Sequence, residues 1–249
     1  MERERIDKLL VEHGLAPSRT KAQAMVMAGL VLVDEQLIKK PSELFARDAN
    51  IRIKGAGDPA SRYVGRAGLK LEAALRHFAI DVTGLICLDV GASTGGFTDC
   101  LLRHGARKVT AIDVGHNQMD WRLRNDPRVQ VREGVNARYL RPQDFDEEFS
   151  LATIDVSFIS ATKILPPILP LLINDGRIVT LIKPQFEVGK DEVGKGGIVS
   201  DPAGHQHAIR EVNRAAEELG LQVHGILESP IRGADGNQEF LAFYQRINN

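Results

Sequence analysis

Two lysines and two carboxylates of this chain have the residue types that move protons. One lies in a stretch with helical spacing, two end apolar runs typical of strands, and one opens such a run: Lys70, Asp155, Lys183 and Glu239. An amine accepts a proton only when it is neutral, and burial beside a second cation can lower the pKa of a lysine to roughly 7 to 8. If the four side chains surround one binding site, they suit removal of a proton from a hydroxyl group. Taken singly, each also fits an ordinary charged residue at the end of an element.

A glycine-rich turn supplies the second chemical feature. Residues 88–99, LDVGASTGGFTD, have the pattern of a strand, a tight turn and a helix start, where Gly95 and Gly96 permit positive φ or close approach of a ligand. Asp113 ends the next predicted strand 22 residues after Gly91, close to the spacing at which an acidic residue binds a ribose. Ser93 stands where dinucleotide loops usually have a glycine that makes room for a pyrophosphate. The turn therefore favours a ribose-bearing cofactor other than a dinucleotide.

The string LDVGASTGG resembles the first motif of methyltransferases that use S-adenosylmethionine. The cofactor-binding residues expected from the turn and the strand ends are Asp89, Gly91, Ser93, Gly95, Gly96, Phe97, Thr98, Asp113 and Asn136. Asn136 either faces the adenine or is an ordinary turn asparagine. Beside this cofactor, the two lysines and two carboxylates suit removal of a proton from a ribose 2′-hydroxyl, with the oxygen held about 3 Å from the methyl group.

Seven apolar runs alternate with helical patterns from residue 85 onward, and these elements must position the chemistry. The runs are LICLDV, KVTAIDV, RVQVREG, FSLATIDVS, GRIVTLIKP, LQVHGILES and QEFLAFYQRI. This rhythm predicts an α/β fold with a seven-stranded, doubly wound, Rossmann-like sheet whose last strand runs antiparallel. Ligands of such sheets bind beyond the carboxyl ends of the strands, where Asp155 and Lys183 lie.

The first 60 residues predict a separate, small α+β domain. Residues 5–13 and 19–28 have apolar residues at helical spacing, Ser18 is placed to cap the second helix, and short strand patterns follow. The net charge is +4 over residues 1–70 and −5 over the remainder. A basic segment suits a phosphate backbone, although a solvated face has the same composition. We therefore expect domains at 1–60 and 67–249, joined by a linker at 61–66.

The string RIDKLLVEHGLAPSRTKAQAMVMAGLVLVDEQLIKKPS resembles the small RNA-binding module named after ribosomal small-subunit protein four. The resemblance implies contact with RNA, which composition alone does not establish. The predicted RNA-binding residues are Arg5, Lys8, Arg19, Lys21 and Arg66.

Composition argues against several other classes of protein. No stretch approaches 18 consecutive apolar residues, and the amino terminus lacks the apolar core of a secretion signal. Cys87 and Cys100 form no CxxC pair and suit buried thiols in a reducing compartment. The seven histidines have no spacing typical of metal ligands. The sequence thus predicts a cytoplasmic protein without a membrane span or a metal.

One resemblance rests on the two lysines and two carboxylates described first, namely Lys70, Asp155, Lys183 and Glu239. Their order in the sequence and the elements on which they lie are similar to those of the Lys-Asp-Lys-Glu tetrad of FtsJ-like RNA 2′-O-methyltransferases. The strings GASTGGFTD, IDVSFIS, KPQFEVGK, GGIVSDP and SPIRGADGNQEF extend the likeness to the TlyA family, whose members are also called haemolysins. This resemblance implies ribosomal RNA as substrate, a cytidine ribose as acceptor and Lys183 as the base. It also implies that the linker tetrapeptide RYVG, at residues 62–65, relates domain orientation to cofactor binding. Ten residues follow Glu239, fewer than in longer members, and we associate the shorter form with large-subunit RNA.

The glycine turn also fits other classes of protein. The string GASTG fits the GxSxG nucleophile elbow of an α/β-hydrolase, with Ser93, Asp155 and His224 in the required order. An elbow needs earlier strands, however, and the α/β region begins just before the motif. A non-catalytic RNA-binding protein or a membrane-active cytolysin is a further alternative, and the absence of a spanning or strongly amphipathic basic helix argues against the cytolysin. A pseudouridine synthase can have the same RNA-binding module, but a cofactor turn is foreign to its chemistry.

Overall fold

The chain divides into two units, Met1–Arg62 and Tyr63–Asn249. The structure, a computed structural model, describes residues 3–34, 36–53, 62–189, 191–233 and 236–247. The boundary predicted after residue 60 lies outside the described residues.

The first unit contains the helix pair and the short strands that its sequence predicts. Its elements are β1 (Arg3–Arg5), α1 (Ile6–Glu12), α2 (Arg19–Met27), β2 (Val31–Val33), β3 (Gln36–Leu37), β4 (Leu44–Ala46) and β5 (Ile51–Ile53). β1 pairs with β4, and β2 pairs with β3 and β5, all antiparallel. The Ser18 hydroxyl accepts a hydrogen bond from the Lys21 backbone N–H at 3.3 Å and so caps α2. Ile6, Leu10 and Val26 join the helices to β2 in one apolar core.

The second unit alternates strands and helices. Its elements are α3 (Ala67–His77), β6 (Ile86–Val90), α4 (Gly96–Arg103), β7 (Lys108–Asp113), α5 (Trp121–Arg124), β8 (Val129–Glu133), β9 (Phe149–Ile154), α6 (Leu165–Ile168), β10 (Leu172–Ile182), α7 (Pro184–Glu187), α8 (Pro202–Glu218), β11 (Leu221–Glu228) and β12 (Phe240–Arg246). All seven predicted strands are present. β10 begins earlier than expected because Leu172 already pairs with Phe149, ahead of a register shift at Arg177.

These strands form one sheet in the order β11-β12-β10-β9-β6-β7-β8. β6 to β10 run parallel to one another, whereas β12 is antiparallel to both β10 and β11. The predicted α/β class and the antiparallel last strand are therefore confirmed. This topology brings the amino end of β12 to the edge where the parallel strands have their carboxyl ends.

The sheet has apolar residues on both faces, and helices therefore pack against both. Alternation along β6 directs Leu88 to the face covered by α8 and Cys87 to the face covered by α3 and α4. Cys87 and Cys100 are both buried thiols, and burial raises the pKa of each to about 12. Within the described ranges, no helix is long and apolar enough to cross a membrane, and no three His, Cys, Asp or Glu side chains are grouped to hold a metal.

Candidate active site

The glycine turn after β6 is shaped by a close approach of β9. Gly91 has φ 83°, and a Cβ there would lie 2.2 Å from the Asp155 carbonyl oxygen, so only glycine fits. The Asp113 carboxylate accepts hydrogen bonds from the backbone N–H of Ser93 at 2.8 Å and of Gly115 at 2.7 Å. Asp113 therefore holds the turn in place, and each of its oxygens retains a lone pair for a ligand.

A first cavity, of about 300 Å³, lies against this turn. Of the predicted cofactor residues, Gly91, Ser93, Asp113 and Asn136 line it. The Asn136 side-chain oxygen accepts from the Arg138 backbone N–H at 3.1 Å, so its amino group remains as a donor. Most of the other lining residues were not identified from the sequence. Those that follow β7, β8 and β9 include Val114, Gln118, Val135, Ala137, Val156, Ile159 and Ile164. They are mostly apolar, as the walls around a flat ring system usually are.

Two of the predicted cofactor residues, Asp89 and Thr98, do not line the first cavity. Asp89 is fully buried, and its carboxylate accepts from the Thr98 hydroxyl at 2.6 Å and the Thr153 hydroxyl at 3.0 Å. Burial raises the pKa of this carboxyl to about 6. Side chains alternate between the two faces along β6, and Asp89 points to the face covered by α4. The glycine turn begins only after Val90. Both residues instead tie α4 to the sheet.

The other predicted turn residues divide between structure and cavity. Gly95 precedes α4 with φ 97°, and a Cβ there would meet the Leu123 side chain at 2.3 Å. It lines neither of the two cavities at the turn, so its role is to let the chain pass α5. Gly96 and Phe97 line a second cavity, of about 490 Å³.

The two lysines and two carboxylates all line this second cavity. They form two ion pairs. Lys70 bonds Glu239, with side chains only 7% and 3% exposed. Lys183 lies 2.6 Å from an Asp155 oxygen and donates to the Ser157 hydroxyl at 2.9 Å. Sequence reasoning missed Ser157, which lies two residues beyond Asp155 in the same string.

Sheet topology explains why residues so distant in sequence meet. Asp155 follows β9 and Lys183 follows β10 directly, so both emerge at the carboxyl edge. Ile182 pairs with Phe240 across the antiparallel β10–β12 ladder, which places Lys183 opposite Glu239. Without the reversal of β12, Glu239 would lie at the other end of the sheet.

A buried asparagine fixes the turn before Glu239. The Asn237 side chain accepts from the Val199 backbone N–H and donates to the Gly197 carbonyl oxygen, both at 2.9 Å. A Cβ on Gly233 would lie 2.5 Å from a Glu239 oxygen. Asn237 lies within the motif SPIRGADGNQEF, but its structural role depends on a loop some 40 residues earlier and was not identified from sequence.

The two cavities share part of their walls, namely Gly91, Ser93, Asp155, Ser157 and Phe158. A molecule in the first cavity would therefore adjoin a molecule in the second. Because the second is lined by two amines and two carboxylates, it suits an acceptor that must lose a proton as a group is transferred to it.

The hydrolase alternative fails on geometry. Ser93 donates its hydroxyl to Gln118 at 3.2 Å, and Asp155 pairs with Lys183. His224 lies in β11, where it packs against Phe243 of β12. β11 is four strands from β6 in the sheet and hence about 19 Å away. No Ser-His-Asp triad forms from these residues.

The predicted RNA-binding residues of the first unit are partly held by carboxylates. The buried Asp7 carboxylate accepts from Arg5 at 2.9 and 3.0 Å and from Arg19 at 3.0 Å, and the Arg5 guanidinium holds the pKa of Asp7 well below its usual range. Lys8 pairs with Glu4 at 3.3 Å, and Lys21 is exposed. Arg5 and Arg19 are thus brought together.

In the second unit, Arg66 lines the second cavity beside Lys70. It therefore lies at the proposed acceptor site, in a different unit from the other predicted RNA-binding residues.

A Rossmann-like sheet with a glycine turn beside paired lysines and carboxylates defines a methyltransferase. N-methyltransferase NodS from Bradyrhizobium japonicum has this fold, with a TM-score of 0.52 at 14% identity over 77% of this chain and 98% of that chain. The chain belongs to the FtsJ-like methyltransferase family, which matches residues 63–246, and an S4 domain matches residues 4–49.

Two relatives agree with this assignment over most of their length. The 16S/23S rRNA (cytidine-2′-O)-methyltransferase TlyA of Mycobacterium tuberculosis is 44% identical over 238 residues, covering 96% of this chain and 88% of the relative. Hemolysin A of Brachyspira hyodysenteriae is 44% identical over 241 residues, covering 96% and 99%. The solved structure of a candidate hemolysin from Streptococcus thermophilus has a TM-score of 0.78 at 43% identity, covering 100% of this chain and 90% of that one. The resemblance inferred from the motifs is confirmed.

Proposed function

We propose that this protein transfers a methyl group from S-adenosylmethionine to the 2′-hydroxyl of a cytidine in ribosomal RNA. The observation that carries the proposal is the pair of buried lysine–carboxylate contacts in a cavity that shares a wall with the cavity at the glycine turn. The relative named as an rRNA (cytidine-2′-O)-methyltransferase supports the choice of substrate.

The residues around the first cavity fit S-adenosylmethionine. Asp113 has lone pairs for the ribose hydroxyls, Asn136 has an amino group for the adenine, and apolar side chains such as Ile112 and Ile164 can enclose the ring. When bound, the cofactor supplies an electrophilic methyl group on a sulfonium. No phosphate-binding cation is needed, which agrees with Ser93 at the centre of the turn.

Lys183 is the proposed base. Asp155 and Ser157 hold its amine at the shared wall, next to both cavities. Lys70, paired with Glu239, lines the same cavity, and Asp155 would stabilise the charge that Lys183 gains with the proton. Glu239 holds Lys70 in place. Fixing the hydroxyl oxygen in line with the methyl group supplies much of the rate.

The S4 unit is the proposed RNA reader. Its basic residues Arg5, Lys8, Arg19 and Lys21 would contact phosphates, and Arg66 would contact the acceptor nucleotide at the second cavity. We propose large-subunit RNA, in the cytoplasm, as the substrate.

The RYVG tetrapeptide is the proposed link between RNA binding and the cofactor. The Val64 backbone N–H donates to Asp99 in α4 at 2.9 Å, and Arg103 bonds the same carboxylate at 2.7 Å. Since α4 follows the glycine turn directly, a shift of this segment would be transmitted to the turn.

Product analysis tests the proposal. Ribosomal RNA from cells that lack the enzyme is incubated with the protein and methyl-labelled S-adenosylmethionine, then digested to nucleosides. We expect the label in 2′-O-methylcytidine. Label on a base, or no transfer to isolated RNA or to ribosomal subunits, would refute the proposal.

A further inference from the structure

The loop that follows β9 lies against α7 and the lysine before it. This β9 loop, residues 155–160, supplies part of the wall of both cavities. The Lys183 amine donates to the Ser157 hydroxyl at 2.9 Å. The Phe186 ring packs against the Phe158 ring, with 5.3 Å between the two centroids. The loop is therefore held directly beside the proposed base.

The last residue of α7 fixes the far end of the β9 loop. The Glu187 carboxylate accepts hydrogen bonds from the Ser160 hydroxyl at 2.5 Å and from the Ala161 backbone N–H at 2.8 Å. Both of its oxygens are thus bonded to the point where the loop ends. At the near end, the Asp155 backbone N–H donates to the Val90 carbonyl oxygen of β6 at 2.9 Å. The loop is consequently tied to the sheet at its first residue and to Glu187 at its last.

Phe158, in the middle of the β9 loop, has a backbone conformation that requires such support. Its φ of 63° lies in the left-handed region, which is disfavoured for a residue with a large side chain. The side chain is 92% exposed, so burial in a core does not stabilise this conformation. Backbone of this kind persists where the surroundings hold it. If the bonds to Glu187 were lost, we expect the loop to relax, and Ser157 would move with its neighbour Phe158.

We infer that Glu187 is a positioning residue for methyl transfer, which fixes the β9 loop so that Ser157 holds the Lys183 amine at the wall shared by the two cavities. Glu187 itself lines neither cavity, so it acts through the loop. A displacement of about 1 Å at a reacting group can reduce a rate by about 100-fold. This inference rests on the proposed function, because it takes Lys183 as the base, and it adds a residue outside both cavities to the machinery.

Single-turnover rates of methyl transfer at saturating S-adenosylmethionine and RNA test the inference. Glu187→Ala should be slower by about 10- to 100-fold. Glu187→Gln keeps an acceptor for the Ala161 backbone N–H, and its amide can donate to the Ser160 hydroxyl oxygen, so its rate should stay within about threefold of that of the unchanged protein. Asp201→Ala is the matched control. It removes a similar bond, from the Ala203 backbone N–H at the start of α8, away from both cavities, and should leave the rate unchanged.

Ser157→Ala shows whether Glu187 acts through the β9 loop. If it does, the Glu187→Ala/Ser157→Ala double variant should be at most about threefold slower than Ser157→Ala alone, because the contact that Glu187 positions is already missing. Two effects that multiply would overturn the inference. So would a Glu187→Ala rate equal to that of the unchanged protein, or a Glu187→Gln rate as low as that of Glu187→Ala.

All rates are compared at a temperature below every melting transition seen by circular dichroism. If Glu187→Ala does not fold, Ser160→Ala replaces it, since this variant removes one of the two bonds and should slow transfer in the same direction. If the unchanged protein methylates ribose and the Glu187 and Ser160 variants match its rate, only this inference fails. If the unchanged protein methylates no ribose, the proposed function fails and this inference with it.

Discussion

Replacing both members of the Lys70–Glu239 pair should separate stability from activity. The pair is almost fully buried, and removing one partner of such a pair leaves an uncompensated charge that costs about 3–5 kcal/mol. Lys70→Met or Glu239→Leu alone should therefore lower the melting temperature by about 6–20 °C. The double variant removes both charges and should regain most of that loss.

Methyl transfer should behave differently. The double variant should remain at least about 100-fold below the unchanged protein, because the second cavity would then lack the polar groups of Lys70 and Glu239 that line it. Urea denaturation followed by circular dichroism gives the free energies of unfolding, and single-turnover label transfer gives the rates.

The Lys108–Glu147 pair is the matched control. It lies at the opposite, amino-terminal end of β7, and its side chains are 37% and 28% exposed. Lys108→Met should cost about 0–1 kcal/mol and leave the rate unchanged. A Lys70/Glu239 double variant that is as unstable as the single variants, or that keeps methyl transfer, would refute the reasoning.

Three further variants test separate parts of the structure. Because burial raises the pKa of Asp89 to about 6, the folded protein keeps a proton that the unfolded chain releases near pH 4; the free energy of unfolding should fall by on the order of 2–3 kcal/mol as the pH rises from about 4 to about 6, and Asp89→Asn should abolish this slope in urea denaturation. Gly91→Ala should cost several times the roughly 1–2 kcal/mol expected for Gly196→Ala, which has a similar φ but no atom within 4 Å of its Cβ; equal costs would contradict the steric argument. Lys21→Ala should weaken RNA binding and reduce its log–log salt slope by roughly 0.7–0.9, measured by filter binding, whereas an unchanged slope would show that Lys21 contacts no phosphate.

The sheet, and the positions of Asp155 and Lys183 at its edge, could be predicted because strand periodicity is local. Each strand is a short apolar run, and a polar residue at its end must emerge at the edge of the sheet. Asp155 and Lys183 follow from that rule alone. Glu239 required one additional inference, that the last strand runs antiparallel.

Other parts of the site depend on tertiary contacts that no local pattern reports. The Asp89 carboxylate accepts from hydroxyls on α4 and β9, which lie 9 and 64 residues away in sequence. Ser157 and Asn237 likewise bond residues on other segments of the chain. The buried Asp7 carboxylate accepts a hydrogen bond from Arg19, which lies 12 residues later in the sequence. Two of the predicted RNA-binding residues, Arg5 and Arg19, are therefore bonded to a carboxylate of their own domain.

The most direct test of the central claim is the single-turnover rate of methyl transfer by Lys183→Ala, measured beside Lys108→Ala. Lys183 touches the shared wall of the two cavities, whereas Lys108 has a comparable carboxylate partner far from it. If Lys183 accepts the proton of the ribose hydroxyl, its variant should be slower by about 100-fold or more with unchanged cofactor affinity, and Lys108→Ala should match the unchanged protein. One general base contributes on the order of 100-fold or more to the rate. A Lys183→Ala rate within about threefold of that of the unchanged protein would therefore contradict the assignment of Lys183 as the base.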